Sequence, residues 1–247
     1  MPRKCVVIGL PTFGINSFYW TISYGGLQGP MNAITPRIIK WGLEIGIARN
    51  SIVADTLSQY PDASHIFFWD DDVVAHPCCL LQLLKSGKPI TAGVYYLKNP
   101  VSQALIFDRP GCGTIPYVPG SGLKKVYGAA GGLTLIETQV FRDMQERLDL
   151  GIDARGNPQW FRTLGDEPGD PVVNEDSYFY TKANEAGIEV WVDMSPYAFG
   201  WHLDIKEQIG YPVEQWREFM SKGTATWELS DLQAKELIGD REPANVV

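Results

Sequence analysis

The chain has no run of apolar residues near the roughly 20 that a membrane-spanning helix needs. Nor does it contain a Walker loop, a GxGxxG after the first strand-like run, an HExxH or a GxSxG. The commonest nucleotide-triphosphate, dinucleotide, zinc-protease and serine-hydrolase sites are thereby excluded. Cysteine is scarce and badly spaced for metal or disulfide work: four in 247 residues, two of them adjacent at Cys78 and Cys79, with no CxxC pair. Such cysteines read as small buried hydrophobes. Histidine is scarcer still, with three. Excess positive charge is lacking as well, since the net charge of -8 disfavours wholesale adhesion to nucleic acid and leaves room only for a local basic strip. The amino-terminal run Lys4–Leu10 is too short for a signal peptide and enters a strand directly, so the expectation is a cytoplasmic protein.

What stands out against these absences is one stretch, His65-Ile66-Phe67-Phe68-Trp69-Asp70-Asp71-Asp72-Val73-Val74. An apolar run of this kind reads as a buried strand, and three carboxylates close it. Adjacent negative charges repel one another unless a cation binds among them, which makes the triplet a candidate metal site. The plainer reading is a solvated acidic turn, or a cap for a helix over Cys78–Leu84.

In chain order, Lys4–Leu10 predicts the first strand. The loop after it, Pro11-Thr12-Phe13-Gly14, is a candidate nucleotide contact at a strand's carboxyl end or a simple turn. Residues Gly25–Pro30 read as a flexible connection and Arg37–Gly46 as another strand. A helix follows over Ile47–Leu57 with Ile52, Val53, Thr56 and Leu57 on one face. Arg49 and Asn50 then fall at the helix start, where the dipole favours anions, so Arg49 either meets a phosphate or lies on the surface. Pro89–Tyr96 predicts a strand, and Asn99–Gly122 a hairpin or irregular excursion. Gly131 and Gly132, in a run of small residues before the strand Leu133–Ile136, permit close approach of a ligand or mark a bulge. Thr138 is the expected cap of a helix over Gln139–Leu148. The loop Asp149–Pro171, with Trp160-Phe161 at its middle, reads as a lid with exposed aromatics or a linker. Glu175 and Asp176 open a helix that Gly187 ends, and acids there are favoured by the dipole with or without chemistry. A strand Ile188–Asp193 leads toward His202, two short amphipathic helices are expected between Val213 and Ile238, and Gly239–Val247 reads as a frayed tail.

Taken together, Gly9-Leu10-Pro11, Ala48-Arg49-Asn50, Phe68-Trp69-Asp70-Asp71-Asp72, Ala92-Gly93-Val94-Tyr95, Gly131–Ile136, Glu175-Asp176, Trp191-Val192-Asp193 and Gly200-Trp201-His202 form an ordered series. In that order and spacing the chain resembles the metal-dependent nucleotide-sugar glycosyltransferases of the GT-A fold, in particular the small family-2-like enzymes of bacteriophages and bacteria. The resemblance implies an α/β fold of GT-A (Rossmann-like) type, with a mixed, mainly parallel sheet and flanking helices. It spans a domain over 1–204, with 205–247 as a helical extension and tail of that domain. It further implies transfer of a sugar from a nucleotide sugar, expected to be UDP-linked, to a hydroxyl acceptor. Manganese, or magnesium, would be held by Asp72, His202 and Asp70. Pro11, Thr12, Arg49, Asn50, Asp70, Asp71, Gly131 and Gly132 would contact the donor. Asp176 would act as general base with Glu175 as the alternative, and inversion is the favoured stereochemistry. Lys124-Lys125, Arg155, Arg162 and the Trp160-Phe161 pair suggest a hydroxymethylated pyrimidine in phage DNA as the acceptor, flipped from its duplex. The competing expectations are a nucleotidyltransferase, disfavoured by the absence of Lys or Arg from Leu10 to Asn16, and a non-catalytic nucleotide- or glycan-binding module.

Overall fold

A computed structural model of the protein describes residues 4–99, 103–110, 112–165, 173–207 and 209–221. Its centre is a sheet in the order β2-β1-β4-β11-β6-β12-β9, with β3 also paired to β1. The strands are β1 (Lys4–Thr12), β2 (Ala33–Ile34), β3 (Arg37–Trp41), β4 (Ala63–Trp69), β6 (Ile90–Ala92), β9 (Leu123–Val126), β11 (Leu133–Glu137) and β12 (Val190–Asp193). Six of them share one direction, and β11 and β9 oppose it. This is the mixed, mainly parallel sheet that the sequence predicts.

Side-chain alternation along β4 explains the layers. Ile66 and Phe68 face α2 (Ile45–Gln59), where a Cβ on Gly9 would meet Ile52, Ile66 and Phe68 together. Phe67 and Trp69 face the other way, and Trp69 packs on Trp20 of α1 (Phe18–Gly26) with ring centroids 5.6 Å apart. Burial on both faces is why β4 reads as a continuous apolar run rather than an alternating one. Helix α4 (Thr138–Arg147) and helix α5 (Glu175–Glu185) join α2 on the Phe68 side, and α3 (Cys79–Lys85) packs near β11.

Two smaller sheets complete the fold. One pairs β7 (Ile106–Arg109) with β8 (Cys112–Thr114) and β10 (Gly128–Ala129), so the stretch after Asn99 does contain a hairpin. The other pairs β5 (Val73–Ala75) with β13 (Gly200–Asp204), and β13 with β14 (Ile209–Tyr211). Beyond residue 204, β14 and α6 (Val213–Ser221) dock through Trp216, whose ring meets Tyr19 of α1 and Trp201 of β13. The second expected helix and the tail lie outside the described residues. No described helix is long and apolar enough to cross a membrane.

Several local expectations are corrected. Helix α1 forms where the sequence suggests only a connection near Gly25 and Gly26, because Ser17 caps it by accepting from the Trp20 amide at 3.0 Å. The strand after Arg37 stops at Trp41, and Glu44 caps α2 by accepting from the Ile47 amide at 2.9 Å. Arg49 is thus in the second turn of α2, not at its start. Thr138 does not cap α4: Glu137 holds that position, and the Thr138 hydroxyl donates to the Ala63 carbonyl at 2.6 Å.

Candidate functional site

The site lies where the carboxyl ends of β1, β4, β6 and β12 meet, the edge at which open α/β sheets bind ligands. Antiparallel pairing sets the amino end of β11 against the carboxyl end of β4, with Leu133 opposite Trp69. Gly132 consequently sits beside the acidic triplet, and its carbonyl accepts from the Asp70 amide at 3.0 Å. Trp20 fastens the same turn by donating to the Asp70 carbonyl at 2.9 Å.

The three acids meet three different sets of partners. Asp70 continues the Ile66–Phe68 face toward α2 and accepts from Arg49 Nη2 at 3.0 Å. Asp71 turns to β1 and accepts from the Thr12 hydroxyl, which in turn accepts from the Gly14 amide at 2.8 Å. Asp72 faces the small sheet, where Lys98 and His202 meet it. Among the described residues no three His, Cys, Asp or Glu side chains come together as a metal cluster. Asp70 is therefore placed on Arg49, apart from the Asp72–His202 pair.

Arg49 is the centre of the first half of the site. It is 1% exposed, stands over the rings of Phe68 and Phe161 at 5.5 and 5.9 Å, and reaches three carboxylates. Besides Asp70 these are Glu175, 3.8 Å from Nε, and Asp176, 3.7 Å from Nη2. One guanidinium cannot neutralise three buried acids. Burial pushes Asp70 up to about 6 and Glu175 up to about 7, the neighbouring carboxylates add to both shifts, and Arg49 opposes them. The acids in return hold Arg49 charged against its own burial. Asp70 Oδ1 and Asp176 Oδ1 remain buried with no hydrogen-bond partner among the described residues, and such orphans mark a place for a polar ligand.

The two glycines make this convergence possible. The Gly131 amide donates to Asp176 Oδ2 at 2.7 Å, and the Gly132 amide to the Tyr95 hydroxyl at 2.9 Å. A Cβ on Gly131 would stand 2.8 Å from Asp176 Cγ, and one on Gly132 would stand 2.7 Å from Asp70 Cγ. Only a bare backbone lets two carboxylates lie against it.

The second half is built by the pairing of β5 with β13, which sets His202 opposite Val73 and next to Asp72. His202 Nδ1 lies 2.9 Å from the Tyr96 carbonyl, which can only accept, so Nδ1 carries a proton and Nε2 is the atom turned to Asp72 Oδ2 at 3.4 Å. Burial acts to raise Asp72, but His202 and Lys98 outweigh it and hold the carboxyl down to about 2. The Tyr95 ring joins the halves: it meets the His202 ring edge-on at 5.1 Å while its hydroxyl takes the Gly132 amide.

No protein-family model and no curated protein matches the chain. Among solved structures, the A197 protein from STIV matches 81% of this chain and 85% of its own, at 15% identity and a TM-score of 0.52. The chain has a Rossmann-like α/β fold. A second solved structure, 4-diphosphocytidyl-2C-methyl-D-erythritol synthase, aligns with 89% of this chain and 98% of its own at 9% identity and a TM-score of 0.41. On this fold Pro11 and Thr12 are the last residues of β1 rather than a loop, and only Thr12 touches the acids.

Three sets of residues are placed otherwise than the sequence suggests. Asn50 is buried in α2 and clamps backbone: its amide donates to the Phe161 carbonyl and accepts from the Phe161 amide, both at 2.9 Å. Trp160 and Phe161 are 1% and 3% exposed; Phe161 stacks on Phe179 at 4.5 Å and walls Arg49, which removes the lid reading. Lys124 and Lys125 lie on the edge strand β9, separated from β4 by β12, β6 and β11, and Lys125 pairs with Glu189 at 2.7 Å. Conversely, sequence reasoning does not single out Lys98 or Trp20. Their contacts with the triplet span 26 and 50 residues, and no spacing rule reaches that far.

Proposed function

We propose that the protein is a GT-A-type glycosyltransferase that uses a nucleotide-diphosphate sugar, with UDP as the expected nucleotide, and a divalent cation held by Asp72 and His202. One observation carries the reading: the Tyr96 carbonyl holds the Nδ1 proton of His202 and leaves Nε2 3.4 Å from Asp72 Oδ2, so an imidazole nitrogen and a carboxylate oxygen face one another as two donors that one divalent ion can take. Two protein ligands suit an ion that arrives with a diphosphate, whose oxygens and water complete its shell. The donor set of one carboxylate and one imidazole favours manganese over magnesium. When bound, the ion would offset charge on the departing diphosphate.

The protein's own groups supply the rest. Transfer forms a bond from the acceptor oxygen to the sugar's anomeric carbon and breaks the bond from that carbon to phosphate, whose oxygen keeps the electron pair. The acceptor proton goes to Asp176, whose Oδ1 makes no hydrogen bond among the described residues while Oδ2 is fixed by the Gly131 amide. Attack with Asp176 opposite the leaving diphosphate inverts the anomeric centre. Arg49 holds Asp70 and Asp176 on either side of the glycine pair, and Asp70 and the Thr12–Asp71 pair face the donor. The acceptor is proposed only as a hydroxyl compound, because Lys124 and Lys125 lie on the far edge strand and Trp160 and Phe161 are buried rather than open for a base to stack on.

The test is a thermal-shift series with UDP, UDP-sugars and nucleoside triphosphates, with and without manganese, followed by donor hydrolysis measured by mass spectrometry. A manganese-dependent shift with UDP that Asp72→Asn removes is expected. Asp176→Asn should then lower transfer by ~10²-fold or more with donor affinity nearly unchanged. Stabilisation by nucleoside triphosphates alone would replace this reading with nucleotidyl transfer.

A further inference from the structure

In this structure the cation on Asp72 is a lysine. Lys98 Nζ lies against Asp72 Oδ2, the same oxygen that faces His202 Nε2 at 3.4 Å. Lys98 is two residues beyond Tyr96, whose carbonyl orients His202. That backbone runs beside β13, with the Val94 amide donating to the Ala198 carbonyl and the Gly200 amide to the Val94 carbonyl, both at 2.8 Å. One stretch of chain therefore aims an imidazole and an ammonium at a single carboxylate oxygen.

An ion bridging Asp72 Oδ2 and His202 Nε2 would sit where the ammonium now neutralises that oxygen, and like charges a few ångströms apart repel strongly in a partly buried site. Lys98 is free to yield: its side chain is 30% exposed, and lysine is a compact charge on a flexible stem. An anion then becomes its natural partner, and a diphosphate on the ion is the nearest one on offer. We propose that Lys98 is a resident cation that neutralises Asp72 in the nucleotide-free protein, is displaced by the divalent ion, and then pairs with the diphosphate of the donor. The inference rests on the metal-and-diphosphate reading above. It makes the metal site weak until nucleotide arrives and assigns Lys98 as a donor-binding residue.

The experiment titrates the full-length protein with manganese alone, followed by the electron paramagnetic resonance of free Mn²⁺, and then with UDP at saturating manganese by calorimetry. Lys98→Met keeps the apolar stem and removes the charge. It should bind manganese alone about tenfold more tightly than wild type and UDP about tenfold more weakly, each the effect of one charged contact. Lys98→Arg, which keeps the charge, should leave manganese binding as weak as in wild type. Equal or weaker manganese binding by Lys98→Met, or tight binding by Lys98→Arg, overturns the displacement. Unchanged UDP affinity in Lys98→Met overturns the diphosphate contact. Failure of the underlying reading looks different: Asp72→Asn would then bind manganese as wild type does.

Discussion

At the scale of single residues, the site depends on what is missing from two of them. Gly131 and Gly132 carry no side chain, and in the space a Cβ would take lie Asp176 and Asp70. Neither glycine has the positive φ that would make it obligatory for backbone reasons, so packing alone accounts for them. Gly132→Ala should force Asp70 away from Arg49 and Tyr95 away from the Gly132 amide. The expected cost is about 1–3 kcal/mol of folding stability, the usual penalty of overpacking a tight site. Urea denaturation would measure it, and UDP affinity should fall in the protein that remains folded. An alanine variant with unaltered stability and UDP binding would mean that the carboxylates have room to move. Arg49 is the complementary case. Its charge is kept in a buried position by three acids, so its worth lies in the whole cluster rather than in any one ion pair.

At the scale of elements, the loop 149–164 is held by a side chain of α2 and by one of its own tryptophans. Asn50 satisfies both polar groups of the Phe161 backbone, and Trp160 Nε1 donates to the Phe141 carbonyl at 2.9 Å. A loop anchored twice in the core presents Phe161 to Arg49 as a fixed wall. Asn50→Ala should leave two buried backbone groups unpaired and lower stability by roughly 2–4 kcal/mol. For a domain of this size each kcal/mol lowers the melting temperature by ~2–4 °C. Differential scanning calorimetry would record the loss, while KM for the donor should stay within about twofold at a temperature where the variant is folded, since such a change is under 0.5 kcal/mol. A large rise in KM with no loss of stability would return Asn50 to the donor site. The pairing of β5 with β13 works in the same way on the other side. The pairing of β13 with β5, which is far from it in sequence, is what brings His202 to Asp72.

At the scale of the whole molecule, three of the buried acids make stability depend on pH. Folding raises Asp70 to about 6 and Glu175 to about 7, chiefly by burial, from unfolded values of ~4. The folded protein therefore binds more protons than the unfolded chain between roughly pH 4 and 7, and these two groups make it less stable as pH rises through that window. Asp72 acts in the opposite sense. Held down to about 2, it contributes stability above pH ~4 that is lost as the pH falls toward 2. Glu175→Gln removes one ionising group in the upper window. Between pH 5 and 8 the wild type should lose on the order of 1–3 kcal/mol relative to this variant, read from urea midpoints at several pH values. A difference that stays constant with pH would show that Glu175 is ionised throughout.

The apolar run of β4, the acids that end it, the helical face of Ile52, Val53 and Thr56, and the acidic start and glycine stop of α5 are all legible in the sequence. Each depends on neighbours within a few residues, which is the range of periodicity, capping and turn chemistry. The direction in which each acid points is not of that kind. Asp70, Asp71 and Asp72 are consecutive, yet one meets α2, one meets β1 and one meets the β5–β13 sheet. Spacing cannot tell an arginine that is exposed at a helix start from one that is buried in the second turn, and the two-residue shift of α2 made that difference for Arg49. Nor can it tell an aromatic lid from an aromatic wall, because Asn50 and Phe161 are 111 residues apart and only the folded chain joins them. Local sequence determined which elements exist and where carboxylates gather. Tertiary pairing alone decided which partner each carboxylate meets, because a charge's partner is set by distance through space, and the chain reaches those distances only by folding.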